Sequence, residues 1–566
     1  MTDSSTDLPG VDGFTPEGDA LYFLPLGGSG EIGMNLNLYG HRGKWLMVDL
    51  GISFADETMP GLDVIMPDPA FIAARTDDLA GLVVTHGHED HLGAIQYLWP
   101  QLRCPVYCTP FTAALLRAKL YERGLGTTVP IVEVPVGGAV EVGPFRVEYV
   151  PVTHSIPEPS ALAIRTAAGT VLHTGDWKLD PNPMVGPTLD EERLRGLGDE
   201  GVLALIGDST NALLPGTSGS EEGVRGALTE LLGRYPDVRV AVSCFATNVA
   251  RLESVAAAAA AHGRSVALIG RSLWRINEAA RSSGYLADVP PFLTEYEAAL
   301  LPREKLVLIC TGSQGEPRSA LARIAAGDHP QITLQQGDVV VFSSREIPGN
   351  ERAIGRVQNQ LVSRGVELVT ADDAPVHVSG HPARDELALM YQWIRPRLAV
   401  PVHGERRHQQ EHARLALDCQ VPETLIPSNG QLIRLAPGPV EVVARAPFGR
   451  VALDGKRLIS IEGSGVVRSR QRMVNGGAAV VTLVLNGKGE LVAAPQVAIM
   501  GVLDEAADRD TLLDVVDTVC EAVAALPKSV RADDEQVRQA VRVAVRRTLN
   551  ASHGKKPVTE VHLVRV

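Results

Sequence analysis

The stretch GLVVTHGHEDH, residues 81–91, decides how this chain folds and where its chemistry lies. Its apolar first half is typical of a buried strand, and its second half places three histidines and Asp90 within six positions. Because His and Asp side chains are costly to bury unless they are paired or coordinated, packing does not explain this run. In an irregular turn after a strand, His86 and His88 can face one metal ion while Asp90 and His91 face a second. Imidazole and carboxylate ligands suit Zn²⁺ or Mn²⁺, and the stretch therefore predicts a dinuclear metal site.

Length and composition are typical of a globular protein with several domains. A chain of 566 residues is too long for one core. A hydrophobic content of 45% with only 4% aromatic residues favours an α/β architecture. The formal net charge of −14 argues mildly against non-specific adhesion to nucleic acid, but it leaves room for a locally basic pocket. We expect no membrane span, since no run of about 18 apolar residues occurs, and the six scattered cysteines indicate free thiols in a cytoplasmic protein.

Three more side chains of metal-ligand type follow apolar strands farther along the chain. His154 ends VEYVPVTH, Asp176 lies in VLHTGD, and His403 lies in PVHGE. A dinuclear site needs further ligands and a bridging carboxylate, so we assign two sets: His86, His88, His154 and Asp176 for one ion, and Asp90, His91, Asp176 and His403 for the other. Two ions about 3.5–4 Å apart can activate a shared water and clamp the oxygens of an in-line displacement. That suits a phosphodiester, but equally a lactam, a thioester or a lactone, so these residues leave the substrate open.

The character of the sequence changes twice after the first metal motifs. A glycine- and serine-rich joint at about residue 215 leads into alternating helices and strands, such as RVAVSCFAT and KLVLICTGS. This pattern predicts a second, α/β domain running to about residue 370. After about residue 460, strands, two helices and a last strand predict a small third unit. The polar N-terminal segment has no secretory leader and is predicted to be disordered.

HGHEDH, followed by His, Asp and His at strand ends, resembles the metallo-β-lactamase superfamily, whose fold is an αββα sandwich. In that superfamily the last metal-binding histidine usually follows the bridging aspartate closely, whereas Asp176 and His403 are 227 positions apart. The α/β domain between them resembles the β-CASP domain of nucleic-acid-processing members. The motifs LGGSGEIGMN, GDSTNA, GRS, TGSQGEP, HVSGH and PVHGE resemble the ribonuclease J family, over about residues 20–566.

The resemblance implies an α/β fold: a metallo-β-lactamase αββα sandwich with an inserted α/β β-CASP domain and a small α+β C-terminal domain. The implied division is a disordered N-terminus at 1–20, a first metallo-β-lactamase part at 21–215, the β-CASP domain at 216–372, a second metallo-β-lactamase part at 373–450, a linker at 451–465 and the C-terminal domain at 466–566.

The resemblance also implies roles beyond metal binding. Five residues match the motif that holds a substrate phosphate: His377, Val378, Ser379, Gly380 and His381. A glycine turn with Ser and His donors is, independently of the family, a good anion site. His377 is the candidate to protonate the leaving oxygen, and Asp90 is counted as catalytic as well as metal-binding. A family substrate-contact segment corresponds to Phe245, Ala246 and Thr247, where Thr replaces the more usual Ser. A structural calcium, which some members carry, would use the Gly61 carbonyl, Asp63 and Asp454.

The implied function is that of a cytoplasmic ribonuclease with two Zn²⁺ or Mn²⁺ ions per subunit. It would degrade 5′-monophosphorylated RNA in the 5′→3′ direction, with endonuclease cleavage as a further activity, in RNA turnover and ribosomal RNA maturation. A homodimer or homotetramer and partners in an RNA-degradation complex are also expected.

Three alternatives stand beside this function. A small-molecule metallo-hydrolase is disfavoured by HVSGH and by the inserted domain. A DNA-acting β-CASP nuclease is disfavoured by His403, since a histidine at this position is typical of RNA-acting members. A catalytically inactive RNA-binding paralogue is disfavoured by the complete set of candidate ligands.

Overall fold

A computed structural model describes residues 8–11, 13–347, 349–504 and 506–566. The chain divides into two compact units: residues 1–53 with 66–448, and residues 54–65 with 449–566. Within the described ranges, no helix is both long and apolar enough to cross a membrane.

Two mixed β-sheets form the centre of the larger unit. The first has eight strands, in the order Glu441–Arg445, Gln431–Ala436, Leu21–Gly27, Leu36–His41, Lys44–Val48, Leu79–Val83, Val106–Cys108, Ile131–Glu133. The second has seven strands, in the order Ala139–Val142, Phe145–Pro151, Ser160–Thr166, Gly169–His173, Ala204–Asp208, Leu398–Val402, Glu423–Thr424. One apolar core joins the two sheets, with Phe23 and Leu46 from the first packed together with Leu162 and Val400 from the second.

Helices pack on the outer sides of these sheets. Their bounds are Ala70–Ala73, Glu89–Leu92, Ile95–Leu102, Pro110–Glu122, Glu191–Glu200, Arg384–Ile394 and Arg406–Asp418. Phe71 packs edge-on against Trp45 of the first sheet at a ring separation of 5.4 Å. Leu194 and Trp393 share a second core with Leu205 of the second sheet. This arrangement is the αββα sandwich, so the predicted fold class is confirmed.

The inserted domain is a five-stranded parallel sheet with helices on both faces. Its strands are ordered Ser265–Ile269, Leu306–Cys310, Val240–Ser243, Val339–Phe342, Glu367–Val369. Its helices are Glu221–Arg234, Val249–Ala261, Arg271–Ser282, Glu295–Ala298, Ala320–Ala326 and Glu351–Val362. The central strands are buried on both faces, which is why they read as continuous apolar runs rather than as alternating patterns.

Parallel strands bring the predicted metal motifs to sheet edges. In the first sheet, Lys44–Val48 runs parallel to Leu79–Val83, so Asp49 and His86 follow two neighbouring carboxyl ends. In the second sheet, Ala204–Asp208 lies between Gly169–His173 and Leu398–Val402 and is parallel to both.

Asp176 follows the first of these outer strands, and His403 follows the other. One sheet edge therefore unites two residues that are 227 positions apart in sequence. A short parallel pairing of Ser29–Gly30 with Gly404–Glu405 also holds the segment after His403.

Among its described residues, the smaller unit contains four helices and strands of two sheets. A four-stranded sheet is ordered Arg457–Ser460, Arg450–Asp454, Val64–Pro67, Ser53–Phe54, and a three-stranded sheet is ordered Gln496–Met500, Ala478–Leu485, Val558–Arg565. The helices are Gly465–Gly476, Arg509–Ala525, Lys528–Arg531 and Asp534–His553.

Two predictions about chain organisation differ from the described structure. The expected linker at 451–465 contributes to the four-stranded sheet, because Arg450–Asp454 and Arg457–Ser460 pair as antiparallel strands through their backbones. The segment 1–20, predicted to be disordered, lies partly outside the described residues, at 1–7 and 12. Its described remainder is packed: the Val11 N–H donates to the Arg445 carbonyl at 3.1 Å, and Phe14 meets the Tyr22 ring edge-on at 5.0 Å. The N-terminal segment has no periodic hydrophobic pattern, so its sequence does not predict these contacts.

Candidate metal centre and phosphate site

The first predicted ligand set converges on one point. His86 Nε2 lies 3.1 Å from His88 Nδ1, and His154 Nε2 lies 3.0 Å from the same atom. Both Nε2 atoms lie 3.8 Å from Asp176 Oδ2. Tetrahedral Zn²⁺ with bonds of about 2.0–2.1 Å separates neighbouring ligand atoms by about 3.3 Å, so this spacing fits one ion.

The second predicted set shares Asp176 with the first. His91 Nε2 lies 3.5 Å from Asp90 Oδ2 and 3.1 Å from Asp176 Oδ2. His403 Nε2 lies 3.7 Å and 3.5 Å from the same two oxygens. Within each set, all donor atoms lie within 4.8 Å of one another. In the described structure Asp176 Oδ1 and His403 Nε2 are buried without a hydrogen-bond partner, a cost that a bound divalent cation would remove.

Neighbouring side chains orient these ligand rings. His91 Nδ1 donates to Asp49 Oδ2 at 2.7 Å, which leaves Nε2 free for an ion. The Asn35 side chain also contacts His403 Nδ1, with its Oδ1 at 3.1 Å and its Nδ2 at 3.0 Å, and so fixes the orientation of that ring. His403 has a φ of 47°, a strained left-handed conformation, and its N–H donates to the Gly28 carbonyl at 2.7 Å.

Two glycines allow the close approaches that the centre requires. A Cβ on Gly51 would lie 1.6 Å from the Asp90 carbonyl oxygen, so only glycine fits beside the metal turn. A Cβ on Gly380 would lie 2.6 Å from His154 Cε1. The Gly380 carbonyl accepts a hydrogen bond from His154 Nδ1, so the predicted phosphate motif directly orients a metal ligand.

The histidines of the metal centre differ in pKa, because burial and nearby carboxylates act on them to different extents. Burial lowers the pKa of His88 to about 4 and that of His154 well below its ordinary value, so both are neutral ligands at pH 7. Burial also disfavours the charged form of His91, but the carboxylates of Asp176 and Asp90 outweigh it and raise the His91 pKa well above the ordinary value. Metal binding there would therefore release a proton.

The predicted phosphate motif HVSGH lies beside the metal centre. Asn211 Nδ2 donates to Ser379 Oγ at 2.8 Å and to the His381 carbonyl at 3.1 Å. His381 Nδ1 donates to Asp208 Oδ2 at 2.8 Å and lies 3.8 Å from Asp176 Oδ2. Burial lowers the pKa of His381, but Asp208 and Asp176 outweigh it and raise that pKa to about 9. His381 is thus the cationic histidine of the motif.

His377 lies in a positively charged setting. Its pKa is lowered to about 3, first by burial and then by the charges of Arg251, Lys178 and Arg345. A neutral imidazole at pH 7 does not support its predicted role as proton donor in the free protein. The positive surroundings do suit the predicted binding of a phosphate.

The predicted contact segment Phe245, Ala246 and Thr247 is half-buried at the carboxyl end of strand Val240–Ser243. It leads into the helix whose cap is Asn248, where the side chain accepts from the Arg251 N–H at 2.9 Å. Arg251 Nη1 in turn donates to the Val376 carbonyl at 3.0 Å. One buried arginine therefore connects the start of the helix after this segment to Val376, the residue that precedes HVSGH.

An arginine occupies the surroundings of the predicted calcium site. Arg470 Nη2 donates to both carboxylate oxygens of Asp454 at 2.9 Å. The same guanidinium lies beside Gly61, where a Cβ would be 3.5 Å from Nη1. Arg470 therefore supplies a positive charge to Asp454 in the described structure, and calcium binding by Gly61, Asp63 and Asp454 stays a prediction.

Several residues of the site have no assigned role in the sequence analysis. Asn35 lies in LGGSGEIGMN, and Asp208 and Asn211 lie in GDSTNA, so the motifs contained them without revealing their partners. No sequence signal points to Arg345. Glu89, within HGHEDH, forms an ion pair with Lys119 instead of joining either ligand set.

Comparisons with known proteins agree with this geometry. Four family models match: "Beta-lactamase superfamily domain" at residues 45–194, "Ribonuclease J, beta-CASP domain" at 237–361, "Zn-dependent metallo-hydrolase RNA specificity domain" at 373–422 and "Ribonuclease J C-terminal domain" at 465–566. Ribonuclease J of Sinorhizobium meliloti is 46% identical over 97% of this chain and 98% of its own. Ribonuclease J of Mycobacterium tuberculosis is 38% identical over 99% of this chain and 100% of its own. A crystal structure of a protein of unknown function from Enterococcus faecalis shares the fold, with a TM-score of 0.53 and 19% identity over 73% of this chain and 100% of its own.

Proposed function

The chain belongs to the ribonuclease J family and is a metal-dependent ribonuclease, and on that premise we propose that it degrades RNA from a 5′-monophosphorylated end in the 5′→3′ direction. The observation that carries this proposal is the hydrogen bond between His154 and the Gly380 carbonyl. Because a metal ligand touches the phosphate motif, a phosphate bound at HVSGH would lie about one nucleotide from the bond to be cleaved. A monophosphate fits such a pocket, whereas a triphosphate is bulkier.

The ligand geometry supports two divalent ions, Zn²⁺ or Mn²⁺, held by the two sets that share Asp176. When bound, such ions lower the pKa of water and neutralise charge on a phosphodiester. Asp90 is half-exposed and is the most accessible residue of the second set. Ser379 and the Gly380 turn would donate hydrogen bonds to the terminal phosphate.

We assign proton donation to His381 rather than to His377. His381 is hydrogen-bonded to Asp208 and lies at the edge of the metal donors, where a leaving oxygen would depart. Asp208 orients the ring and stabilises its protonated form. His377 remains a phosphate contact, together with Val378 and the segment Phe245 to Thr247.

Further parts of the proposal follow from family membership. We propose endonuclease cleavage where a single strand enters without a free end, and a homodimer or homotetramer as the working form. We also propose a cytoplasmic role in RNA turnover and ribosomal RNA maturation, together with partners in an RNA-degradation complex.

The test uses one RNA sequence with a monophosphate, a triphosphate or a hydroxyl at its 5′ end. The wild type should release mononucleotides fastest from the monophosphate. His88→Ala should abolish hydrolysis while leaving the circular dichroism spectrum unchanged, and Ser379→Ala should mainly reduce the preference for the monophosphate. The exposed Ser363→Ala serves as the matched control. Mononucleotide release from none of the three RNAs would refute the exonuclease proposal.

A further inference from the structure

Three cations lie near His377, and carboxylates neutralise two of them. Arg251 and Glu221 form an ion pair at 3.1 Å, with side chains only 0% and 2% exposed. Lys178 Nζ lies 2.9 Å from Asp180 Oδ2, and that pair is equally buried. Because each charge has a permanent partner, neither cation is free to compensate the charge of a phosphate.

Arg345 is the third cation and differs from the other two. Among the residues that the structure describes, it forms no ion pair, and its guanidinium donates through Nη1 to Asn211 Oδ1 at 3.1 Å. The residue is exposed, so a substrate can reach it. Arg345 is therefore a positive charge beside the phosphate motif that no carboxylate compensates.

The hydrogen bonds of Asn211 and His381 determine whether the Ser379 hydroxyl acts as a donor or as an acceptor. Asn211 is 3% exposed, and its amide bridges Arg345 and Ser379 Oγ, accepting from the first and donating to the second at 2.8 Å. The His381 N–H also donates to Ser379 Oγ, at 3.2 Å. A hydroxyl oxygen has two lone pairs, so both are occupied. The Ser379 O–H proton is then left to donate to a phosphate oxygen.

The segment that carries Arg345 is anchored in the inserted domain. Gln314 Nε2 donates to the Arg345 carbonyl at 2.8 Å, and Gln314 Oε1 accepts from the Ile347 N–H at 2.9 Å. The guanidinium thus starts from a fixed backbone position, which lowers the entropy lost when it engages a ligand.

We propose that Arg345 determines the specificity for a 5′-monophosphate. Its guanidinium meets the terminal phosphate, and through Asn211 it fixes the Ser379 hydroxyl as a donor to the same group. This inference rests on the proposed function, since it names the residue that selects the proposed substrate. An arginine fork suits a phosphate because it forms two parallel hydrogen bonds as well as an ion pair.

The experiment is a competition assay in which 5′-monophosphorylated and 5′-hydroxyl RNAs of one sequence are mixed. It measures the ratio of kcat/KM for the first RNA to kcat/KM for the second. Arg345→Gln should lower this ratio tenfold or more, through slower cleavage of the monophosphorylated RNA alone. Arg345→Lys, which keeps the charge without the fork, should give an intermediate ratio. Arg352→Gln is the matched control, because it removes an exposed arginine from the neighbouring helix Glu351–Val362. Its ratio should equal that of the wild type.

Cleavage of the 5′-hydroxyl RNA reports folding and metal loading in every variant. An Arg345→Gln ratio within threefold of a wild type that prefers the monophosphate would overturn the inference. An equal loss on both RNAs, or an equal effect of Arg352→Gln, would also overturn it. A wild type without any preference would instead refute the proposed 5′-end selection, so the two failures are distinguishable.

Discussion

Asp49→Asn isolates the contribution of one buried carboxylate to metal binding. Asp49 is fully buried, and its Oδ1 accepts from the Thr85 N–H at 2.8 Å while its Oδ2 accepts from His91 Nδ1 at 2.7 Å. Asparagine has nearly the same shape and tolerates the left-handed φ of 61° at this position, so the fold should persist. Its oxygen can keep the bond to Thr85. Its amide nitrogen must then face the N–H of His91 Nδ1, and because both groups are donors, no hydrogen bond forms between them.

The expected loss of metal affinity follows from the contact to His91, since the Thr85 hydroxyl, which also donates to Oδ2 at 2.9 Å, does not touch the metal ligands' donor atoms on the ion side. A buried hydrogen bond to a charged group contributes about 1.5–3 kcal/mol, which corresponds to about 10- to 100-fold in an equilibrium constant. Loss of a partner that orients a metal-binding histidine costs a similar factor in affinity. We therefore expect the Zn²⁺ affinity of the second ligand set, which contains His91, to fall by about 10- to 100-fold.

The assay titrates metal-depleted protein with Zn²⁺ in competition with a chelating dye. Asp237→Asn, at an exposed aspartate, is the control and should bind as the wild type does. Ribonuclease activity of Asp49→Asn should be low at limiting Zn²⁺ and should recover as Zn²⁺ is raised. A folded Asp49→Asn protein that binds both ions within twofold of the wild type would refute the reasoning.

Two further predictions concern buried charge. Glu221→Gln should lower the free energy of unfolding by about 3–5 kcal/mol, because it leaves the Arg251 guanidinium buried without its partner. In denaturant unfolding, Glu253→Gln, which breaks a half-exposed pair with Arg225, should cost about 1 kcal/mol or less, and equal costs would contradict this argument. His377→Gln tests the lowered pKa: at about 3 in the folded state against about 6.5 unfolded, His377 takes up its proton first in the unfolded chain, so wild-type stability falls as pH drops through this window. His377→Gln should remove a slope of up to about 1.4 kcal/mol per pH unit between pH 6 and pH 4, and identical pH profiles for both proteins would show that His377 is not buried as a neutral ring.

Much of the metal centre could be predicted because its ligands lie in short motifs after apolar strands. His86, His154 and His403 each follow such a strand, and the carboxyl ends of these strands meet in space. The residues of the calcium site, which stays a prediction, follow no such pattern. Gly61 and Asp454 both lie beside Arg470 in the smaller unit, and the Arg470 guanidinium neutralises the charge of the Asp454 carboxylate. The sequence around Gly61 and the sequence around Asp454 do not predict a contact with Arg470.

By itself, the sequence determined the types of metal ligand and the alternation of strands and helices, because local patterns of polarity and spacing display these directly. Its resemblance to a known family implied the αββα sandwich with its insertion and the phosphate motif. Only the tertiary structure decided which groups orient and charge that chemistry. Asp49 meets His91 across 42 positions, Asn211 meets Ser379 across 168, and Asp208 meets His381 across 173. Hydrogen bonds act over about 3 Å and depend on contact rather than on order in the chain, so the donor state of Ser379 and the charge of His381 exist only once the strands have assembled.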